Sequence, residues 1–395
     1  MVTAESGPKC SGPADMRRKS SRSPLLLMNV NAAWFFLSHR APVARAALAA
    51  GYCVHVAAGV TQSYEAKAVG ALGVELHPVP VSRSGLNPLN EGDYFVALLR
   101  LMRKLKPSIV HNVTAKPIIF GTAATAMLGR IPTVNAVSGL GYAFSGGDDR
   151  RWLATPMIAA YRAALRARHS VCIVQNDDDR ALVGLREEDA GKSWVRIAGS
   201  GVDLDQFAMD QEPPGPLCVV FPARLLRDKG LMEFAEAARL VRARNPQVRF
   251  LLVGALDPQN PAAVSAAEVE QLVSRGHVEW PGYSGDMPAV FRHCHIVCLP
   301  SYREGLPKAL IEACAAGRPI VTTDVPGCRD VVADGRNGLL VPPRNAVALA
   351  DAIERLLHDP ALRRSMGEQG RNRAEAEFSL QSVVAQTLDI YRRLQ

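Results

Sequence analysis

Short, uniformly apolar runs alternate along the first half of the chain with stretches of helical spacing. LLLMNV from Leu25, CVHVAA from Cys53, VELHPV from Val74, SIVHNV over 108–113, PTVNAV over 132–137 and SVCIVQ over 170–175 are strand candidates. Between them lie helical stretches after His39, near 63–71, at 93–106 and at 150–168, punctuated by turn residues. Strands apolar on both faces belong to parallel sheets covered by helices on both sides. This rhythm therefore predicts a doubly wound α/β domain.

The rhythm breaks at QEPPGP (211–216), a proline-rich segment without periodicity, and then restarts. LCVVFP, VRFLLV, HVEW, IVCLP, RPIVTT and GLLV alternate with helices at 229–244, 262–275 and 306–316, predicting a second sheet of the same kind. A chain of 395 residues exceeds the roughly 250–300 at which one core stops growing. The expected division is a disordered tail over 1–24, an N-terminal domain over 25–210, a linker over 211–216, and a C-terminal domain over 217–375. The final segment, 376–395, is expected to cross back as a helix, within a helical stretch at 360–395. The tail carries Arg17, Arg18, Lys19 and Arg22 among Ser, Gly and Pro, and is expected to lie upstream of a true start at Met16 or Met28.

Composition excludes several classes. Arg45 and His55 interrupt the only long apolar stretches, so no run reaches the ~18 residues of a membrane span. Eight scattered cysteines, mostly within apolar runs, suit reduced thiols, and disulfides are not expected. His293, Cys294, His295 and Cys298 have metal-like spacing but sit on a run read as a buried strand, whose alternate residues face opposite ways. No metal or cofactor is expected. A net charge of +8 favours an anionic partner. Aromatic platforms among the basic residues are lacking, which argues against nucleic acid.

In doubly wound sheets ligands bind at the carboxyl ends of strands, so the loops after strands carry the chemistry. After LCVVFP come Arg224 and Lys229, fixed cations where a strand opens into a helix. After IVCLP come Glu304, Gly305, Leu306 and Pro307, where a helix start offers free N–H groups, Gly305 lets a ligand approach the backbone and Glu304 is placed to accept from sugar hydroxyls. Glu312 lies on an otherwise apolar helix and needs a partner, for which a ribose diol is one candidate. Asp177, Asp178 and Asp179 open a helix in its first turn, which the helix dipole explains without a metal.

Arg224, Lys229, and Glu304 spaced from Glu312 by seven residues resemble the donor site of retaining glycosyltransferase family four, with the GT-B fold. GSGVDLDQF (199–207), DMPAVF (286–291) and VPGCRDVVADGRNGLLVPP (325–343) extend the likeness over nearly the whole chain from Leu25. The resemblance implies two Rossmann-like domains facing across a cleft and transfer from a nucleotide-sugar donor, with retained configuration. Arg224 and Lys229 would then hold the diphosphate, Glu304 the sugar and Glu312 the ribose. Gly305, Leu306 and Pro307 would line the pocket, with Gly254 and Tyr283 as further donor-binding candidates.

Ser82-Arg83-Ser84-Gly85-Leu86-Asn87-Pro88 and Ser138-Gly139-Leu140-Gly141 are similar to enzymes that extend polyprenyl-diphosphate-linked sugars in N-glycan, capsule and O-antigen assembly. A lipid-linked saccharide acceptor is implied, with Lys116, Thr114, Ser138, Gly139 and Arg83 as acceptor-side candidates. Two departures from the family stand out: Asn29 to Trp34 replaces a Gly-Gly turn, and His111 lies inside its strand run rather than beyond it. Helix 93–106 combines apolar residues with Arg100, Arg103, Lys104 and Lys106, and helix 150–168 adds Arg162, Arg166 and Arg168, as expected of a cytoplasmic enzyme bound peripherally to an anionic membrane. Two other classes share a donor cleft: a nucleotide-sugar 2-epimerase, which needs no acceptor, and a non-catalytic sensor, which shows no turnover.

Overall fold

The computed structural model describes residues 23–82, 87–139 and 151–395. The expectations placed on the tail through residue 22, on Arg83 and on Leu140 and Gly141 fall outside these residues. The first sheet contains β1 (Leu25–Val30), β2 (Cys53–Ala58), β3 (Glu75–Pro78), β4 (Ile109–Val113), β5 (Thr133–Ala136), β6 (Ser170–Val174) and β7 (Trp194–Arg196), ordered β3-β2-β1-β4-β5-β6-β7. The second contains β8 (Cys218–Phe221), β9 (Arg249–Val253), β10 (Glu279–Gly282), β11 (Ile296–Leu299), β12 (Ile320–Thr323) and β13 (Gly338–Val341), ordered β10-β9-β8-β11-β12-β13. Every named pair is parallel. Each order reverses at one point, between β1 and β4 and between β8 and β11, and there adjacent loops part to opposite faces and open a crevice.

Apolar side chains on both faces of the central strands form the cores. In the second sheet, β8, β11 and β12 are buried along their whole length. In the first, β4 splits its residues by parity: Ile109 and Val113 pack beneath the helix Ala41–Ala49, while Val110 packs beneath the helix Pro88–Leu105. A polar ladder interrupts the second of these layers. Asn29, Asn112 and Asn135 stand in register on β1, β4 and β5, and each amide donates to the next at 3.0 Å. Tyr94 caps the ladder by donating to Asn29 Oδ1 at 2.8 Å, and Thr122 donates to Asn135 at the other end.

The helical stretch expected over 360–395 is two helices, Pro360–Glu377 and Leu380–Arg393, broken at Phe378 and Ser379. At the break the chain runs beside 199–202: Val202 N–H donates to Phe378 O and Leu380 N–H to Val202 O, both at 2.9 Å. Helix Leu380–Arg393 then places Val383, Ile390 and Tyr391 in the core of the first sheet. Tyr391 and His111 are joined by a 2.5 Å hydrogen bond.

Among the described residues six cysteines are buried free thiols. Cys53, half-buried at the start of β2, is disulfide-bonded, which corrects the expectation of no disulfide. His295, from the metal-like cluster, is used internally: its Nδ1 accepts from Cys218 N–H at 3.1 Å, leaving Nε2–H to donate to Pro213 O at 3.0 Å.

Candidate active site

Because β8 and β11 are neighbours, the loops following them meet at the switch point. Lys229 Nζ donates to Glu304 Oε1 at 2.5 Å, and Ser301 Oγ donates to the same oxygen at 2.7 Å. Tyr302 N–H donates to Asp228 O, and Gly230, with φ +76°, leaves no room for a Cβ beside Pro300 O. Arg224 pairs with Asp257 at 2.5 Å and lies over the ring of Trp34 from the other domain, 5.7 Å from its centroid. Gly254, at the end of β9, admits Ala223 O against its Cα, so the loop carrying Arg224 rests on that glycine. Three of the proposed diphosphate and sugar contacts thus project from one pair of tied loops.

Glu312 is 6% exposed on the helix Lys308–Ala315. Lys308 Nζ lies 3.3 Å from it and also donates to Ser38 O of the N-terminal domain at 3.0 Å. Burial raises the Glu312 pKa against the pull of Lys308. The helix therefore supplies a partner for Glu312 besides the ribose diol named as a candidate from the sequence. Leu306 is buried against Gly199, and Pro307 is the residue preceding the helix. Tyr283 lies beyond β10, 76% exposed.

The space beside Gly305 is filled differently from expectation. A Cβ there would stand 2.7 Å from both Gly139 N and Gln175 Oε1, so it is the backbone of the facing domain that approaches. Asn176 Nδ2 donates to Gly305 O at 2.6 Å. Nearby, Arg303 pairs with the fully buried Asp179 at 2.9 Å. Burial raises the Asp179 pKa and Arg303 opposes the rise. One of the three aspartates read as a helix-dipole motif is therefore an interdomain latch, which no sequence signal announced.

On the N-terminal side, Lys116 Nζ reaches Ser82 Oγ at 2.7 Å and Glu91 at 2.5 Å. Thr114 holds φ +76°, rare for a β-branched residue, and its buried hydroxyl has no hydrogen-bond partner. Ser138 Oγ accepts from Arg40 at 3.3 Å. A cavity of about 440 Å³ opens at this end of the sheet, lined by Asn31, Gly59, Thr61, Val81 and Ser82 and by Gln259 from the other domain. The unpartnered Asn31 Oδ1 stands on its wall.

Two facing Rossmann-like domains with switch-point loops turned toward each other define the GT-B fold. Among solved structures, HepE from Anabaena in complex with UDP matches with a TM-score of 0.73 at 16% identity, covering 94% of this chain and all of that one. Sucrose-phosphate synthase from Thermosynechococcus elongatus matches with a TM-score of 0.73 at 22% identity, covering 94% of this chain and 99% of that one. The family model described as Glycosyl transferases group 1 matches residues 203–373, and one described as Glycosyl transferase 4-like matches 25–176. The chain belongs to this group 1, family four, glycosyltransferase family and is a transferase. A similar curated protein is the N,N'-diacetylbacillosaminyl-diphospho-undecaprenol alpha-1,3-N-acetylgalactosaminyltransferase of Campylobacter jejuni, 27% identical, covering 82% of this chain and 87% of that protein. The capsular polysaccharide glycosyltransferase CapM of Staphylococcus aureus is 23% identical, covering 80% and 84%.

Proposed function

We propose that this glycosyltransferase moves a hexose or N-acetylhexosamine from a UDP-linked donor to a lipid-linked saccharide, with retention of configuration and without a metal. The observation that carries the reading is the convergence of Arg224, Lys229 and Glu304 on tied loops at the switch point. Breaking the sugar–phosphate bond puts negative charge on the departing diphosphate, and cations already in place stabilise that charge without reorganisation. Lys229, held against Glu304, sits between phosphate and sugar, while Glu312 addresses the ribose. The leaving phosphate takes the acceptor proton. A UDP donor is supported by the UDP in the HepE complex, and a polyprenyl-diphosphate acceptor by the name of the Campylobacter relative.

The acceptor enters the cavity beside Ser82 and Lys116. An anionic membrane surface would meet the exposed Arg100, Arg103 and Lys104 of helix Pro88–Leu105, whose Tyr94, Leu98 and Met102 are spent on the core. Membrane contact through this helix would draw on these charges together with the exposed Leu89 and Val96. No helix among the described residues is long and apolar enough to cross a bilayer.

The test is a panel of UDP-, GDP- and ADP-sugars with purified enzyme in EDTA, with and without lipid-linked acceptors, beside anionic vesicles. Acceptor-dependent transfer from a UDP-sugar in EDTA is expected. Donor epimerisation without acceptor would mark an epimerase, tight binding without turnover a sensor, and an absolute Mg²⁺ or Mn²⁺ requirement would remove the metal-independent mechanism.

A further inference from the structure

The parallel register of β2 and β3 sets His55 opposite Glu75 and Ala57 opposite His77. Residues two apart on a strand share a face, so His55, Glu75 and His77 project together from the edge of the sheet. The His55 Nδ1 and His77 Nε2 atoms are 2.8 Å apart. Of the Glu75 carboxylate, Oε2 lies 3.7 Å from His55 Nδ1 and Oε1 lies 3.6 Å from His77 Nε2. A tetrahedral zinc ion with bonds of about 2.05 Å spaces its donor atoms by roughly 3.3 Å. The two nitrogens stand closer than that, and one donor atom from each residue can be chosen with all three within 4.8 Å of one another, so small side-chain rotations bring them to that spacing. Among the described residues this is the one group of three such donors whose ligating atoms lie within 4.8 Å of one another.

We propose that His55, Glu75 and His77 form a divalent-cation site, best suited to zinc, that is separate from the transfer cleft. The two imidazoles supply borderline-soft nitrogens and the carboxylate a compensating charge, a donor set that fits zinc rather than calcium or magnesium. The fourth position opens to water on the side of Glu75, whose side chain is 59% exposed, while those of His55 and His77 are 6% and 18% exposed. A plain hydrogen bond between the two rings would account for the 2.8 Å contact. It leaves the carboxylate beyond hydrogen-bonding distance of both nitrogens. Bound metal would pin the edge strand β3, whose continuation through Val79, Pro80, Val81 and Ser82 lines the acceptor-side cavity. The role is structural, and this assignment rests on the reading above that transfer itself needs no metal.

Zinc binding is measured on tag-free, chelator-stripped protein by competition with a chromophoric chelator. One equivalent per chain is expected, with Glu75→Gln weakening it at least tenfold and the double variant His55→Ala/His77→Ala abolishing it. Zinc at a hundredfold excess over Kd should raise the unfolding temperature by roughly 5 °C in wild type and not in the double variant. X-ray absorption should show only nitrogen and oxygen neighbours near ~2.0 Å. No binding at tens of micromolar zinc, unchanged affinity in Glu75→Gln, or sulfur in the zinc shell would overturn the proposal. Glu75 is on the surface, so its variant keeps the test decisive even if the double variant fails to fold.

Discussion

At the scale of single residues, Arg224 and Glu312 are assigned to parts of the donor that behave differently during reaction. Charge on the departing phosphate grows as the bond breaks, so Arg224→Ala should lower kcat, by ~10²–10³-fold on analogy with other electrostatic stabilisers. The ribose does not change, so Glu312→Ala should chiefly raise donor KM. Steady-state kinetics on folded variants decide it, and wild-type kcat in Arg224→Ala at saturating donor would remove that residue from the leaving group. His111 makes a second prediction. Burial holds its pKa well below the ordinary value, so below about pH 6.5 the unfolded chain takes up a proton the native site refuses. The stability tied to neutral His111 is full above that pH and lost as pH falls, by at most ~1.4 kcal/mol per pH unit. Denaturation midpoints from pH 7 to 5 should therefore decline less steeply in His111→Gln, and parallel slopes would exclude His111 as a source.

At the scale of elements, the apolar strands were legible because burial on both faces leaves no ambiguity of pattern. Strand β7 was not, since Trp194–Arg196 is three residues at a sheet edge and carries too little pattern to read. The helix Ala33–His39 escaped for a similar reason, being short and parted from the next helix by Arg40 alone. The break at Phe378 had a usable sign in Ser379, which caps the last helix by accepting from Ser382 N–H. Contacts made by strand pairing were beyond reach: nothing in the spacing of His55, Glu75 and His77 states which strands are neighbours. The asparagine ladder is equally hidden, and it yields a sharp test. A Cβ on Gly121 would fall 1.9 Å from Asn112 Oδ1, whereas one on Gly70 meets nothing within 4 Å. Gly121→Ala should cost on the order of 3 kcal/mol through overpacking and broken buried hydrogen bonds, while Gly70→Ala is neutral. Similar melting temperatures for the two variants would show that the ladder yields freely.

At the scale of the whole molecule, the loops of the candidate site were readable because the switch-point rule places function after particular strands. The closure between domains was not, because Gly305 against Gly139 and Arg303 against Asp179 are pairings across a cleft. The first domain is also built from two distant stretches of sequence. A chain ending at Glu377 would lack Val383, Ile390 and Tyr391 from the core of the first sheet and should aggregate or melt early, with rescue by a peptide spanning 378–395. Normal melting and activity of the shortened chain would show that helix to be dispensable. The same arrangement bears on how the protein is made. At about 5–20 residues per second, the stretch from Arg196 to Leu380 takes roughly 10–40 s to emerge from a ribosome. Through that interval the first domain waits with its seam at Tyr52 and His111 uncovered, while the second grows toward completion. The domain translated first is thus the one finished last, and each newborn chain depends for that time on whatever shields its open seam.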